Sequence, residues 1–300
     1  MPERLDPVLE ARVAALPCWR GQVEIAPLDG GMTNRNLLVR DAAGRFVVRL
    51  GQDIPEHGVL RFNELAASRA AHLAGLSPEV VYAAPGLMVL RFVEGRTLTP
   101  EDVREPARLE ALVGLLLRCH HEVPRHLRGP VLAFNVFHVV RDYAATLRQG
   151  GSPYAAQLGR LMSRAAALET AVGAVDLVFG HNDLLAANLI DDGSRLWLID
   201  WDYAGFGAAL FDLGGLASNN GFAPAQEEAL LAGYFDHAVD DDLRRRYAAM
   251  KCAAQLRESM WSMVAEMMPT VGGVDFAAYT SEHLKQFETL WAALDLTQHR

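Results

Sequence analysis

Between Val178 and Asp202, five acids, two asparagines and one histidine alternate with short apolar runs, a pattern few folds accommodate. Asp192-Gly193 is a strong turn signal between the apolar runs Leu189-Ile190 and Leu196–Ile199. A hairpin centred there brings Asn188 and Asp200 close across the ladder, where diagonal neighbours lie roughly 7–8 Å apart. Two oxygen side chains at that range can share Mg²⁺ if the cation also takes phosphate oxygens and water. Upstream, Asp183 precedes Asn188 by a loop of four residues. A carboxylate beside a metal-binding asparagine suits the task of orienting and deprotonating a hydroxyl. Singly, each of these acids reads as a turn cap or a strand end; the ordered set is much rarer.

The rest of the chain supplies the frame. Three hundred residues exceed one typical domain, so one large domain or two lobes is expected. Val23–Leu28, Leu37–Arg40 and Phe46–Leu50 have strand character after a short helix ending near residue 20. A turn at Ala42-Ala43 sets Arg49 near Asn36. A helix over Leu60–Ala74 carries Glu64, and Val80–Ala83 and Gly86–Phe92 predict two more strands. A polar connector follows from Val93, and beyond it the chain reads as helical except around the central hairpin. The net charge of −9 argues against non-specific nucleic-acid binding and favours small cationic partners. Three dispersed cysteines, no secretory signal and no membrane-length apolar run predict a soluble, cytoplasmic protein.

His181-x-Asp183-x4-Asn188 followed by Leu198-Ile-Asp200 resembles the catalytic loop and metal-binding segment of kinase-fold small-molecule phosphotransferases. With Phe211-Asp-Leu-Gly214 downstream, the likeness is greatest to choline and ethanolamine kinases, within the wider aminoglycoside phosphotransferase group. The resemblance implies an α+β, bilobal, protein-kinase-like fold. Residues 1–92 would form a small β-rich nucleotide-binding lobe, and 93–300 a larger, mainly helical lobe for catalysis and substrate. It implies ATP and Mg²⁺ as cofactors, Asp183 as catalytic base, and Asn188 and Asp200 as metal ligands. Gly30, Gly31, Thr33 and Asn34 match the turn that covers the phosphates. Arg49 stands where protein kinases place lysine, Glu64 is its expected ion-pair partner, and Phe92 lies in the segment that meets adenine. His181 and Asp212 are expected to brace the loop, and the remaining histidines to pack or face solvent.

Choline kinases hold their cation with aromatic faces and carboxylates. Here the resemblance points to Tyr203 and to Trp261, which fits the second of two tryptophan positions; Glu258 occupies the first. A substrate-facing acid of the family falls on Asn219, leaving Asp202 or Glu258 to supply that charge. The expected reaction is ATP-dependent phosphorylation of a small cationic alcohol, choline or ethanolamine foremost. An aminoglycoside, thiamine or sugar-amine kinase would use the same core. A catalytically silent kinase-fold binding protein is the reading from a different class. It would have lost a transfer residue, whereas Asp183, Asn188 and Asp200 are all present.

Overall fold

A computed structural model describes residues 6–28, 34–268 and 274–294. Helix α1 (Pro7–Ala14) starts on an Asp6 cap that accepts from the Val8 N–H, and it stops well before residue 20. Pro17 lies just beyond and cannot extend a helix. Strands β1 (Glu24–Leu28), β2 (Arg35–Asp41) and β3 (Gly44–Leu50) precede helix α2 (Arg61–Leu73), followed by β4 (Val80–Ala84) and β5 (Leu87–Arg91). These strands form one antiparallel sheet in the order β1-β2-β3-β5-β4.

Alternation splits β3 as its sequence predicts. Phe46 and Val48 join Leu37, Val39, Val89 and Val13 in a small core under α1. Val47 and Arg49 point the other way, into a cleft. Asn36 pairs with Arg49, the expected register.

Residues 93–98 are more than a polar connector. Strand β6 (Arg96–Thr97) pairs with β8 (Leu189–Asp191) of the central hairpin, whose other strand is β9 (Leu196–Leu198). The hairpin has a free edge, and two residues of passing chain satisfy it. At Gly95 a side chain would meet the Asp191 carbonyl at 2.6 Å, so only glycine permits this approach. The hairpin turn is a four-residue loop, 192–195, closed by the Asp192 N–H on the Arg195 carbonyl. Asp192 Oδ1 accepts from the Ser194 and Arg195 N–H groups, while Asp191 Oδ1 accepts from that of Gly193.

The helical part comprises α3 (Pro100–Val103), α4 (Leu109–His121), α5 (Val123–His126), α6 (Val136–Gln149) and α7 (Leu158–Val172) before the hairpin. Helices α8 (Ala209–Asn220), α9 (Pro224–Phe235), α10 (Asp241–Ala265) and α11 (Phe276–Ala293) follow it. Strands β7 (Leu177–Gly180) and β10 (Gly205–Ala208) pair antiparallel and flank the segment that contains the candidate site. Helix α10, with 25 residues, is about 37 Å long and packs against α6, α7, α8 and α11 at once. Its C-terminal half is buried nearly all round and carries Arg257, Glu258 and Trp261. Among the described residues, no helix is long and apolar enough to cross a membrane.

Candidate active site

A cleft of about 500 Å³ opens between the sheet and the helical part. Val47, Arg49, Leu90 and Phe92 line it from one side, and Asp183, Asn188, Asp200, Tyr203 and Glu258 from the other. Three local devices place the acids. The loop after β7 is held by Asp212 of α8, whose two oxygens accept from the buried N–H groups of His181 (2.8 Å) and Asn182 (2.7 Å). Asn182 takes a left-handed backbone, φ 64°, and its amide donates to the Tyr203 carbonyl. His181 Nε2 lies 2.9 Å from the Ile199 carbonyl, and its Nδ1 accepts from the Asp183 N–H. Both expected braces, His181 and Asp212, are therefore in place.

Asn188 and Asp200 meet at the open end of the hairpin, where the Ile199 N–H bonds to the Asn188 carbonyl. The Asn188 amide nitrogen donates to the backbone carbonyl and carboxylate of Asp183, at 2.9 and 3.2 Å. That orientation leaves its Oδ1 for another partner. Asp200 also has a left-handed backbone, φ 69°, which turns its carboxylate out of the strand direction and into the cleft. An amide oxygen and a carboxylate are hard donors of the kind Mg²⁺ takes alongside phosphate and water, so the pair fits that ion. Burial pushes the Asp183 carboxyl up to about 8, Arg257 opposing and the carboxylates of Asp200, Glu258 and Asp202 adding to the rise.

Arg49 pairs with Glu64 as expected, Nε to Oε1 2.6 Å, and also reaches Asp200 at 2.5 Å and Asp202 at 2.9 Å. Arg61, absent from the sequence-based set, joins Glu64 at 2.7 Å to Asp202 at 2.8 Å. Its i,i+3 spacing to Glu64 was the available signal. Asp202, one of the two acids expected to face a substrate, lines the cleft and is ion-paired there. Only 3 % exposed, it gives one oxygen to Arg61 and the other to Arg49 and the Asn34 amide. Burial alone would raise its pKa, yet the two guanidiniums hold it below the usual range.

Phe92 lines the cleft, with the Arg45 guanidinium 4.3 Å from its ring centre. Its N–H already donates to the Arg45 carbonyl, so only the Phe92 carbonyl and its neighbours' backbone remain for a base. Gly30, Gly31 and Thr33 lie outside the described residues.

At the acceptor end, Asn219 and Glu258 share a small recess with Asp183 and Arg257. Glu258 is fixed by two donors, Tyr279 Oη at 2.7 Å and Arg257 Nη1 at 2.9 Å. Trp261 donates from Nε1 to Tyr203 Oη at 2.8 Å. It is only 4 % exposed, beneath His57 at 5.2 Å and near Phe276 and Tyr279. Trp261 lines the cleft beside Tyr203, with His57 covering part of it. Burial and the nearby Arg257 lower the His57 pKa to about 3, keeping its ring neutral.

Arg257, His57 and Tyr279 were missed because no local pattern marks a buried guanidinium or a ring supplied from another element. His120 was expected only to pack. It sits between Asp212 (3.0 Å) and Tyr234 (2.6 Å), linking α4, α8 and α9 behind the loop. Asn220 also supports the loop, accepting from the Ala186 N–H and donating to the Leu184 carbonyl.

The chain is similar in sequence and fold to several known proteins. LicA of Haemophilus influenzae is 29 % identical over 212 residues, which span 68 % of this chain and 61 % of LicA. Ethanolamine kinase 2 of Mus musculus is 26 % identical over 303 residues, spanning 90 % of this chain and 77 % of the enzyme. The structure of a choline/ethanolamine kinase family protein from Mesorhizobium loti superposes with a TM-score of 0.75 at 28 % identity, covering 94 % of this chain and 93 % of that one. Choline kinase LicA from Streptococcus pneumoniae, at 23 % identity, shares the fold with a TM-score of 0.77 over 95 % of this chain and 98 % of its own. A model of the phosphotransferase enzyme family matches residues 24–249. With the kinase-like fold and the acids gathered in one cleft, that match establishes that the chain belongs to the phosphotransferase enzyme family.

Proposed function

We propose that the protein transfers the γ-phosphoryl group of ATP to the hydroxyl of a small cationic amino alcohol, choline or ethanolamine. The carrying observation is that Asp183, Asn188 and Asp200 line one cleft opposite Arg49. Asn188 and Asp200 would hold Mg²⁺, which when bound neutralises charge on the nucleotide phosphates. Asp183 orients the substrate hydroxyl and accepts its proton. Arg49 faces the phosphates, held by Glu64 and Asp202. The Phe92 carbonyl and adjacent backbone meet the base. Gly30, Gly31, Thr33 and Asn34 would supply the N–H groups and polar side chains that meet the phosphates. Asn219 and Glu258 face the cationic end of the alcohol, with Tyr203 beside them.

We also infer that residues 1–92 act as the nucleotide lobe and 93–300 as the catalytic and substrate lobe, since β6 already pairs with the central hairpin. Three unpaired cysteines suit a reducing cytoplasm. The test is ADP release with choline, ethanolamine, thiamine and an aminoglycoside, each against an ATP-only blank. Turnover of an amino alcohol is expected. ATP binding without transfer to any of them would overturn the reading.

A further inference from the structure

A quaternary ammonium has no N–H, so beyond the pull of carboxylate charge its recognition draws on open aromatic faces within about 6 Å of the cation. Tyr203 and Trp261 line the acceptor end of this cleft, but each ring already has a partner from the protein. The Arg257 guanidinium lies 4.3 Å from the centre of the Tyr203 ring, so that ring already serves a cation belonging to the protein. Trp261 is packed beneath His57. A second cation drawn to Tyr203 would also meet the like charge of Arg257.

Hydrogen-bond acceptors remain. The Glu258 side chain is 16 % exposed, and each of its oxygens carries one protein donor. A carboxylate has about four lone-pair sites, so capacity is left for substrate N–H groups. Arg257 offsets the charge of Glu258, which weakens its pull on a bare cation while leaving those acceptor sites directional. Asp183 and Asn219 border the same recess.

We propose that this site selects an amino alcohol whose nitrogen carries hydrogens, a primary amine such as ethanolamine, and discriminates against the quaternary cation. Glu258 is the specificity-determining residue, and Arg257 is the resident cation that fills the aromatic slot. This inference rests on the amino-alcohol kinase reading above.

The test uses the wild-type protein and a graded series: ethanolamine, its N-methyl and N,N-dimethyl derivatives, and choline. kcat/KM should fall along the series, with the steepest drop, about 10- to 100-fold, at the loss of the last N–H. In Glu258→Gln, which keeps the shape of the side chain, the ratio of ethanolamine to choline should shrink by about tenfold or more. Choline turned over as well as ethanolamine, or better, would overturn the inference and leave the kinase reading standing. The same ratio in Glu258→Gln as in wild type would also overturn it. Transfer to no member of the series would overturn both.

Discussion

Replacing Asp202 with asparagine separates a substrate acid from an acid that builds the nucleotide side of the cleft. The side chain is buried, and its two oxygens meet Arg49 at 2.9 Å, Arg61 at 2.8 Å and the Asn34 amide at 2.9 Å. Removing one partner of a buried ion pair costs roughly 3–5 kcal/mol, because the other charge is left without compensation. Here Arg49 keeps Glu64 and Asp200, and Arg61 keeps Glu64, so the lower end, about 3 kcal/mol, is expected. At about 2 °C per kcal/mol for a chain of this size, the melting temperature should drop by about 6 °C. Looser Arg49 should raise KM for ATP, while the relative kcat/KM for different amines should hold. Thermal melts and steady-state kinetics with ATP and amine varied separately would measure both. Unchanged melting and ATP dependence, with an altered amine preference, would refute the assignment and return Asp202 to the substrate.

Asp183→Ala should lower turnover by roughly 10²–10⁴ while leaving ATP affinity, read by calorimetry, unaltered; normal turnover would remove Asp183 from its role as base. Asp200→Ala should abolish Mg²⁺-dependent activity, and a normal rate with intact Mg²⁺ dependence would refute the metal role. Asp212→Asn should weaken the acceptor of the His181 and Asn182 N–H groups, costing about 1–3 kcal/mol and accelerating hydrogen exchange at those two amides. His57 has its pKa lowered to about 3 when folded, so between roughly pH 6 and 4 the unfolded chain binds a proton that the folded chain does not. Stability should therefore fall on acidification by on the order of 1 kcal/mol per pH unit from this residue, and His57→Phe should lose that slope in urea titrations at each pH.

The parts of the site written in short-range pattern were legible from sequence. The turn at Asp192-Gly193 and the apolar runs beside it set the hairpin register, and that register puts Asn188 and Asp200 at the same end of the hairpin. Alternation along β3 put Arg49 on the cleft side, and helical spacing offered it Glu64. What stayed hidden depends on tertiary approach. Asp202 looks like any exposed acid until two guanidiniums from different elements close on it. Trp261 is a ring in a helix whichever face is covered, and burial under His57 is decided by a segment some two hundred positions upstream. Arg257 carries no local mark of burial because its aromatic and acidic neighbours come from the hairpin side, α6 and its own helix.

The left-handed backbone at Asp200 restricts what this position can become. Beyond glycine, aspartate and asparagine enter that conformation most readily, because a short polar side chain compensates its own crowding. Glutamate would retain the charge, yet its longer side chain is less at home there and would carry its carboxyl past the point that Asn188 faces. Asparagine would fit the backbone and lose the charge. The metal role proposed for Asp200 calls for an anion and the chain path for brevity, so a single residue type meets both. A mutational library at this position should retain aspartate alone, and for reasons of shape as much as of charge.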